Sequence, residues 1–352
     1  DQPKPKTIYH QFGATFGGPI KRDKLFYFGA YEGTTDRRFA EVFATVPTEA
    51  MRNGDMSASP DLIYDPATGN ANGSGKVPFL GNIIPRSRID PSAAKLAALT
   101  PLPNISRGSE LFDNLYATGA YKFNRHKIDS KVNWNVSNKL NMFARFGYLK
   151  YNGLSDGIMG KELGGFAIFR PATVPSPLFG STYSSTLAGS YVFWPNFIVD
   201  AYFGYTLIDT NQAHLRINEK LGLDFLGIPG TNGARSFEGG WPSILFDFFD
   251  GLGNPNATRP LLWHDPRSEY VANANWMKGS HNLRFGFYSS RQHLNHVNPN
   301  FPGLNFTAAG GFFFSGGATT INDGVRSPNQ YNNYADFLLG LPSSMGKTLQ
   351  VP

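Results

Sequence analysis

The feature that most constrains this chain is a two-residue alternation of polarity, recurring in four places. Each time it runs through two segments joined by a short turn. Successive side chains of an extended strand point to opposite faces, so alternation means that the two faces meet different surroundings. The clearest case is 125–136. Arg125, Lys127, Asp129, Lys131, Asn133 and Asn135 share one face, while Ile128, Val132, Trp134 and Val136 dominate the other, with Ser130 among them. After the turn Ser137-Asn138-Lys139, Leu140, Met142, Ala144, Phe146 and Tyr148 alternate with Asn141, Arg145 and Gly147, although Phe143 and Leu149 weaken the pattern. A hairpin nearer the start pairs Tyr9–Phe16 with Leu25–Tyr31 across Gly17–Lys24. A third pairs Tyr183–Val192 with Ile198–Leu207 and sets Val199, Ala201, Phe203 and Tyr205 against Asp200. A fourth pairs Glu269–Trp276 with Asn282–Ser289, with Trp276 and Phe285 opposing Arg284.

The connections between hairpins are long, roughly 36–122, 152–181, 209–266 and 291 onward, and rich in the turn formers Pro, Gly, Asn and Asp. Compact soluble domains rarely repeat structureless loops beyond about 15 residues. Short turns alternating with long loops, on strands of about 10 residues, are the pattern of a bacterial outer-membrane barrel. Lipid offers no hydrogen-bond partners, so a membrane sheet must close on itself. The expected fold class is therefore all-β: an antiparallel transmembrane β-barrel portion of about eight strands with long extracellular loops. The hairpins lie near 8–35, 123–151, 182–208 and 267–290.

Composition fits this reading. Only 16% of residues are charged and 14% are aromatic, against about 25% charged in average soluble domains. Cys is absent, which removes disulfides, thiol nucleophiles and cysteine metal sites. No apolar run approaches the ~18 residues of a transmembrane helix. The net charge of +6 is scattered, with no Lys/Arg block for nucleic acid. The mean hydropathy of −0.29 suits strands with only one apolar face.

On this reading the polar face lines the lumen: Arg125, Lys127, Asp129, Lys131, Asn133, Asn135, Arg145, Asp200 and Arg284. The apolar face meets lipid, with Trp134, Tyr148, Phe203, Tyr205, Trp276 and Phe285 as lipid-facing or interfacial aromatic-girdle residues. Simple packing in a soluble sandwich would use the same residues. Two helices are expected inside the loops: 89–99, with Asp90 as N-cap and Pro91 at the first helical position, and 334–340. No catalytic constellation is present. Phe12–Lys21 is Gly-rich but lacks the phosphate-loop spacing and a following helix. His281, His293 and His296 read as solvated loop histidines rather than metal ligands, and His264-Asp265 has no nucleophile to serve. The oxygen-rich Asp65–Gly73 lacks calcium-loop spacing. Neither an enzyme, a metal nor a cofactor is expected.

Several stretches resemble the Oar-like TonB-dependent outer-membrane receptors. The longest is Gln11–Gly33, reading QFGATFGGPIKRDKLFYFGAYEG. Others follow in the family's order: Val46-Pro47-Thr48, Arg52–Ser57, Ile63–Gly69, Asn82–Pro91, Trp276–Gly286 and Ala335–Pro342. The resemblance implies part of a barrel of about 22 strands, with the plug and an N-terminal domain lying before this chain. It implies transport energised through TonB, by way of the plug, with outer-membrane lipid and an undefined transported ligand as partners. A self-contained porin or adhesin, and a soluble extracellular glycan-binding β-domain, remain as alternatives.

Overall fold

The computed structural model describes residues 6–70, 74–106, 111–169, 175–256, 259–297, 307–321, 327 and 329–349. Eight long strands form one antiparallel sheet in which every neighbour in space is a neighbour in sequence. They are β1 (Thr7–Lys21), β2 (Leu25–Ala44), β3 (Leu115–Asn135), β4 (Leu140–Ser155), β5 (Leu178–Trp194), β6 (Phe197–Gln212), β7 (Leu261–Lys278) and β8 (His281–Gln292). A short strand, Asn295–Val297, adds to the far end of β7. The sheet is open. Among the described residues, β1 pairs only with β2, and β8 only with β7.

The strands run further than the alternation indicates, mostly toward the long connections. β2 continues to Ala44 and β3 begins at Leu115, eight residues before the expected 123. Three turns are tighter than expected. β1 continues to Lys21, so the first turn is only Arg22-Asp23-Lys24, with Asp23 at φ 59°. The third is Pro195-Asn196. The fourth is Gly279-Ser280, where Gly279 at φ 61° supplies the left-handed backbone that a two-residue hairpin needs.

The sheet is staggered. Trp134, close to the turn end of β3, lies on one hydrogen-bonded row with Met142, Gly189, Ala201, Ala272 and Phe287. On β8 the chain still has four residues to go, to Leu283, before its last apolar position. Four residues at ~3.3 Å across five spacings of ~4.8 Å give a strand inclination of roughly 30°. Membrane barrels tilt their strands by about 35–45°.

The sheet has almost no core of its own. Nearly all the buried apolar side chains come from the connections, which the sequence presents as loops. They fold together into a cap at one end of the sheet. Its two longest helices are α1 (Pro91–Leu99) and α2 (Gln330–Leu338). The Asp90 carboxylate accepts from the Ser92 and Ala93 amides, and Pro91 sits where a missing N–H costs nothing. α2 starts at Gln330, four residues before the expected Tyr334, because Asn329 caps the Tyr331 amide. A four-stranded sheet of short segments lies beside them, with Ser243–Phe246 parallel to Gly311–Phe314. Phe246 stacks or edges against Phe249, Phe314, Tyr334 and Phe337 at its centre. Arg52 ties α1 to the cap by donating to the carbonyls of Ala97, Thr100 and Pro101.

Candidate functional site: a charged wall beneath a folded cap

Directly opposed residues of an antiparallel pair share a face, so the register fixes which side chains lie together. Arg125, Lys127, Asp129, Lys131, Asn133, Asn135, Arg145, Asp200 and Arg284 all fall on one face. There they make a lattice of paired charges. Asp129 accepts from Arg145 at 2.7 Å and Lys127 at 2.9 Å. Arg125 meets Glu32 at 2.6 Å. Lys131 lies 4.4 Å from the centroid of the Phe143 ring. Ser190 donates to Asp200, and Arg284 donates to Asn275 at 2.7 Å. Each such pair is weak on a wetted surface, at about 0–1 kcal/mol. Together they present alternating donors and acceptors, suited to gripping and releasing a polar solute.

Further residues join this face that the alternation leaves out. Arg267 pairs with Glu269, whose Oε1 also accepts from the Tyr288 hydroxyl at 3.1 Å. Arg267 and Glu269 stand two apart in a strand, the spacing that would have placed them there. Glu32 lies just past Leu25–Tyr31, where the alternation of the first hairpin stops. Gly180 lies under the Tyr151 ring, whose hydroxyl meets the Thr210 hydroxyl at 3.1 Å. A Cβ on Gly180 would sit 2.1 Å from that ring.

Trp134, Tyr148, Phe203, Tyr205, Trp276 and Phe285 fall on the opposite face. It is apolar and bare: Phe16, Leu187, Phe285 and Phe287 are all more than half exposed. Toward the short turns it carries a ring cluster, Phe193, Trp194, Phe197 and Trp276, with centroids 5.2–6.5 Å apart. Toward the cap, the Tyr148 ring lies tilted against Tyr183 at 4.8 Å, and Phe203 against Tyr270 at 5.1 Å. Phe12 and Phe16 lie across Gly33 and Gly29, covering backbone that would otherwise be open.

The cap leans onto the charged face and not the apolar one. Ala40, Val42 and Ala117, which share the charged face, pack into its core. Tyr121, on the same face, stacks on Phe169 at 4.3 Å. His281 and His293 are exposed, as read from the sequence, whereas His296 is half-buried and paired. His264 bonds Asp209 at 2.5 Å rather than its neighbour Asp265, which instead takes His296 at 2.7 Å. Both pairs join adjacent strands. Asp65 caps a short turn of helix and forms a two-pronged bridge with Arg88. That bridge and the position of Arg88 hold the Asp65 carboxyl below the usual range. Residues 71–73 of that loop lie outside the described residues, and no metal-binding cluster occurs among the described ones.

Two buried groups give the cap opposing responses to pH. Burial pushes the Asp336 carboxyl up to about 6, although the Thr319 hydroxyl and the Ala318 and Thr319 amides all donate to it. Burial, helped by the Arg259 charge, pushes His214 down to about 3, against its bond with Asn254. A raised carboxyl stabilises fully below its unfolded value of 3.8 and loses that contribution as pH rises through 6. A depressed imidazole stabilises fully above 6.5 and loses that contribution as pH falls toward 3. Between about pH 4 and 6 the two slopes oppose one another. Wild-type cap stability should therefore change little over that window. Asp336→Asn should make the cap weaken on acidification, and His214→Gln should make it strengthen. Hydrogen exchange of cap amides at several pH values reads this out, and parallel profiles for all three proteins would refute it.

An antiparallel sheet with one bare apolar face and one charged face, short turns at one end and a cap at the other, defines the wall of a transmembrane β-barrel. A sequence model of the outer membrane beta barrel domain matches residues 1–352, and the chain belongs to that family. Membership places the protein in the bacterial outer membrane. No curated protein and no solved structure matches the chain.

Proposed function

We propose that this chain is part of the wall of a TonB-dependent outer-membrane transporter, with the charged face lining the lumen and the cap receiving ligand outside. The observation that carries the proposal is the open, eight-stranded sheet whose charged face is overlain at one end by a folded cap. Eight strands closed on themselves enclose little more than their own side chains. A lattice that includes Arg125, Asp129, Arg145 and Arg267 needs water, and so a wider barrel. An open edge in hydrocarbon leaves backbone groups unpaired, so further strands must complete the wall. Ligand capture by the cap, and passage along the charged wall once a plug moves, follow from this reading. The resemblance of Gln11–Gly33 to the Oar-like receptors favours the TonB-dependent type.

The experiment uses the full-length protein from outer membranes. A TonB-dependent transporter should retain the purified periplasmic domain of TonB in a pull-down and should stay closed in a planar bilayer. A protein that ignores TonB and conducts steadily would be a porin, and the proposal would fall.

A further inference from the structure

We propose that the outward face of β1–β3, just beyond the apolar band, binds the phosphorylated head group of an outer-leaflet glycolipid. The inference rests on the reading above, in which the apolar face meets lipid and the cap lies outside the cell. A groove of about 420 Å³ opens there, at the cap end of these strands; Lys6, Arg37, Glu41, Tyr116 and Lys122 line it, and Arg38 and Tyr121 of the charged face reach its edge. Arg37 stands directly opposite Lys122 across β2 and β3. Like charges in that position repel unless something anionic sits between them.

Neither cation has a carboxylate partner among the described residues. The Arg37 guanidinium donates to the carbonyls of Asp36 and Phe123 and to the Asn124 side-chain oxygen, all neutral acceptors. Among the described residues no carboxylate forms a salt bridge with Lys6, Arg37 or Lys122. The nearby Asp36 pairs with Arg38, on the other face. Glu41, the carboxylate in the groove, accepts from the Tyr116 hydroxyl. An arginine flanked by lysine has the charge and the donor geometry that suit a phosphate group.

The level of the groove identifies the source of that phosphate. Along the same outward face, toward the short turns, β1 carries Phe12 and Phe16 and β2 carries Tyr27 and Tyr31. Acyl chains would lie over those rings while the head group reaches Arg37 and Lys122. The same border continues around the sheet, where Lys150 lines a second outward groove with Tyr148 and Tyr183. Cations at a membrane border attract anionic lipid, at about 1 kcal/mol for each Lys or Arg.

The test is native mass spectrometry of the full-length protein in detergent, titrated separately with bis-phosphorylated lipid A, its dephosphorylated form, phosphatidylglycerol and inorganic phosphate. Bis-phosphorylated lipid A should bind, and removing its phosphates should abolish binding. The double variant Arg37→Gln/Lys122→Gln should lose roughly tenfold or more in affinity. The conservative pair Arg37→Lys/Lys122→Arg should retain most of it. Lys278→Gln, on the same face but at the short-turn end, should change nothing. Equal binding by the double variant, equal binding of phosphatidylglycerol, or displacement by millimolar inorganic phosphate would each overturn the proposal; the last would mark a small-anion site. Failure of the protein to insert into bilayers would overturn the underlying reading instead, whereas insertion without glycolipid binding would overturn this inference alone.

Discussion

Leu187→Arg should cost roughly 2–4 kcal/mol of folding stability in a lipid bilayer. Ser184→Arg, three residues away in β5, should cost less than about 1 kcal/mol. The contrast depends only on which face each side chain occupies. Leu187 is 51% exposed, between the Phe193–Trp276 ring cluster at one end and Tyr183 at the other. Beside it on the apolar face stand Ala144 and Phe203. An arginine there would have hydrocarbon around it and no partner within reach. Ser184 instead faces Gly147 and lies close to the Asp129 carboxylate, so a new guanidinium gains a counter-charge. Denaturant titration of the protein folded into lipid vesicles measures both costs. Equal, small penalties would mean that both faces meet water, as in a soluble β-domain.

Trp241→Ala should cost the cap about 3–5 kcal/mol, the usual range for removing a large buried aromatic. It should leave the sheet intact. Trp241 is 1% exposed, and its ring packs edge-on to Phe225 and beneath the Arg216 guanidinium. Its indole N–H donates to the Glu162 carbonyl at 2.7 Å, joining the connection after β4 to the one after β6. Truncation therefore leaves a cavity and an unpaired carbonyl, and unties two connections together. Limited proteolysis should cut within the connections while the hairpins survive as a protected core. Loss of the whole protein, strands included, would show instead that the sheet depends on the cap for its own stability.

The sheet was legible where its two faces meet contrasting surroundings. From Arg125 to Asn135, charge on one side and hydrocarbon on the other impose alternation on the sequence. Toward the cap that contrast fades. Ala40, Val42 and Ala44 of β2 pack inward, yet Phe39 and Phe43 on the other face are apolar too, so these residues do not alternate and read as loop. The cap itself left almost no periodic trace. Met51, Met56, Ile63 and Ile84 are each fully buried, but at irregular spacings and beside Gly and Pro. Their burial depends on residues more than a hundred positions away, such as Trp241 and Tyr334, and no local window contains that information. The charged face was easier to read, because charges recurring at every second position cannot lie against hydrocarbon and so mark one wetted face. Arg267 escapes because it lies before Glu269, where the alternation of the fourth hairpin begins.

The order of the chain gives the cap a second meaning. Among the eight long strands every pair joins strands adjacent in sequence, so the wall can zip together one strand after another from either edge. Within each hairpin such local pairing forms quickly, because little loop entropy is spent on a short turn. The cap cannot form this way. Phe314, Tyr334 and Phe337, at its centre, all follow β8, while Met51, Ile63 and Leu96 precede β3. Its core closes only when segments from the two ends of this stretch meet, with three completed hairpins between them. A closed cap is therefore a record that this stretch of wall has been laid down in order, and a protease that attacks open loops would spare only molecules that had passed that point.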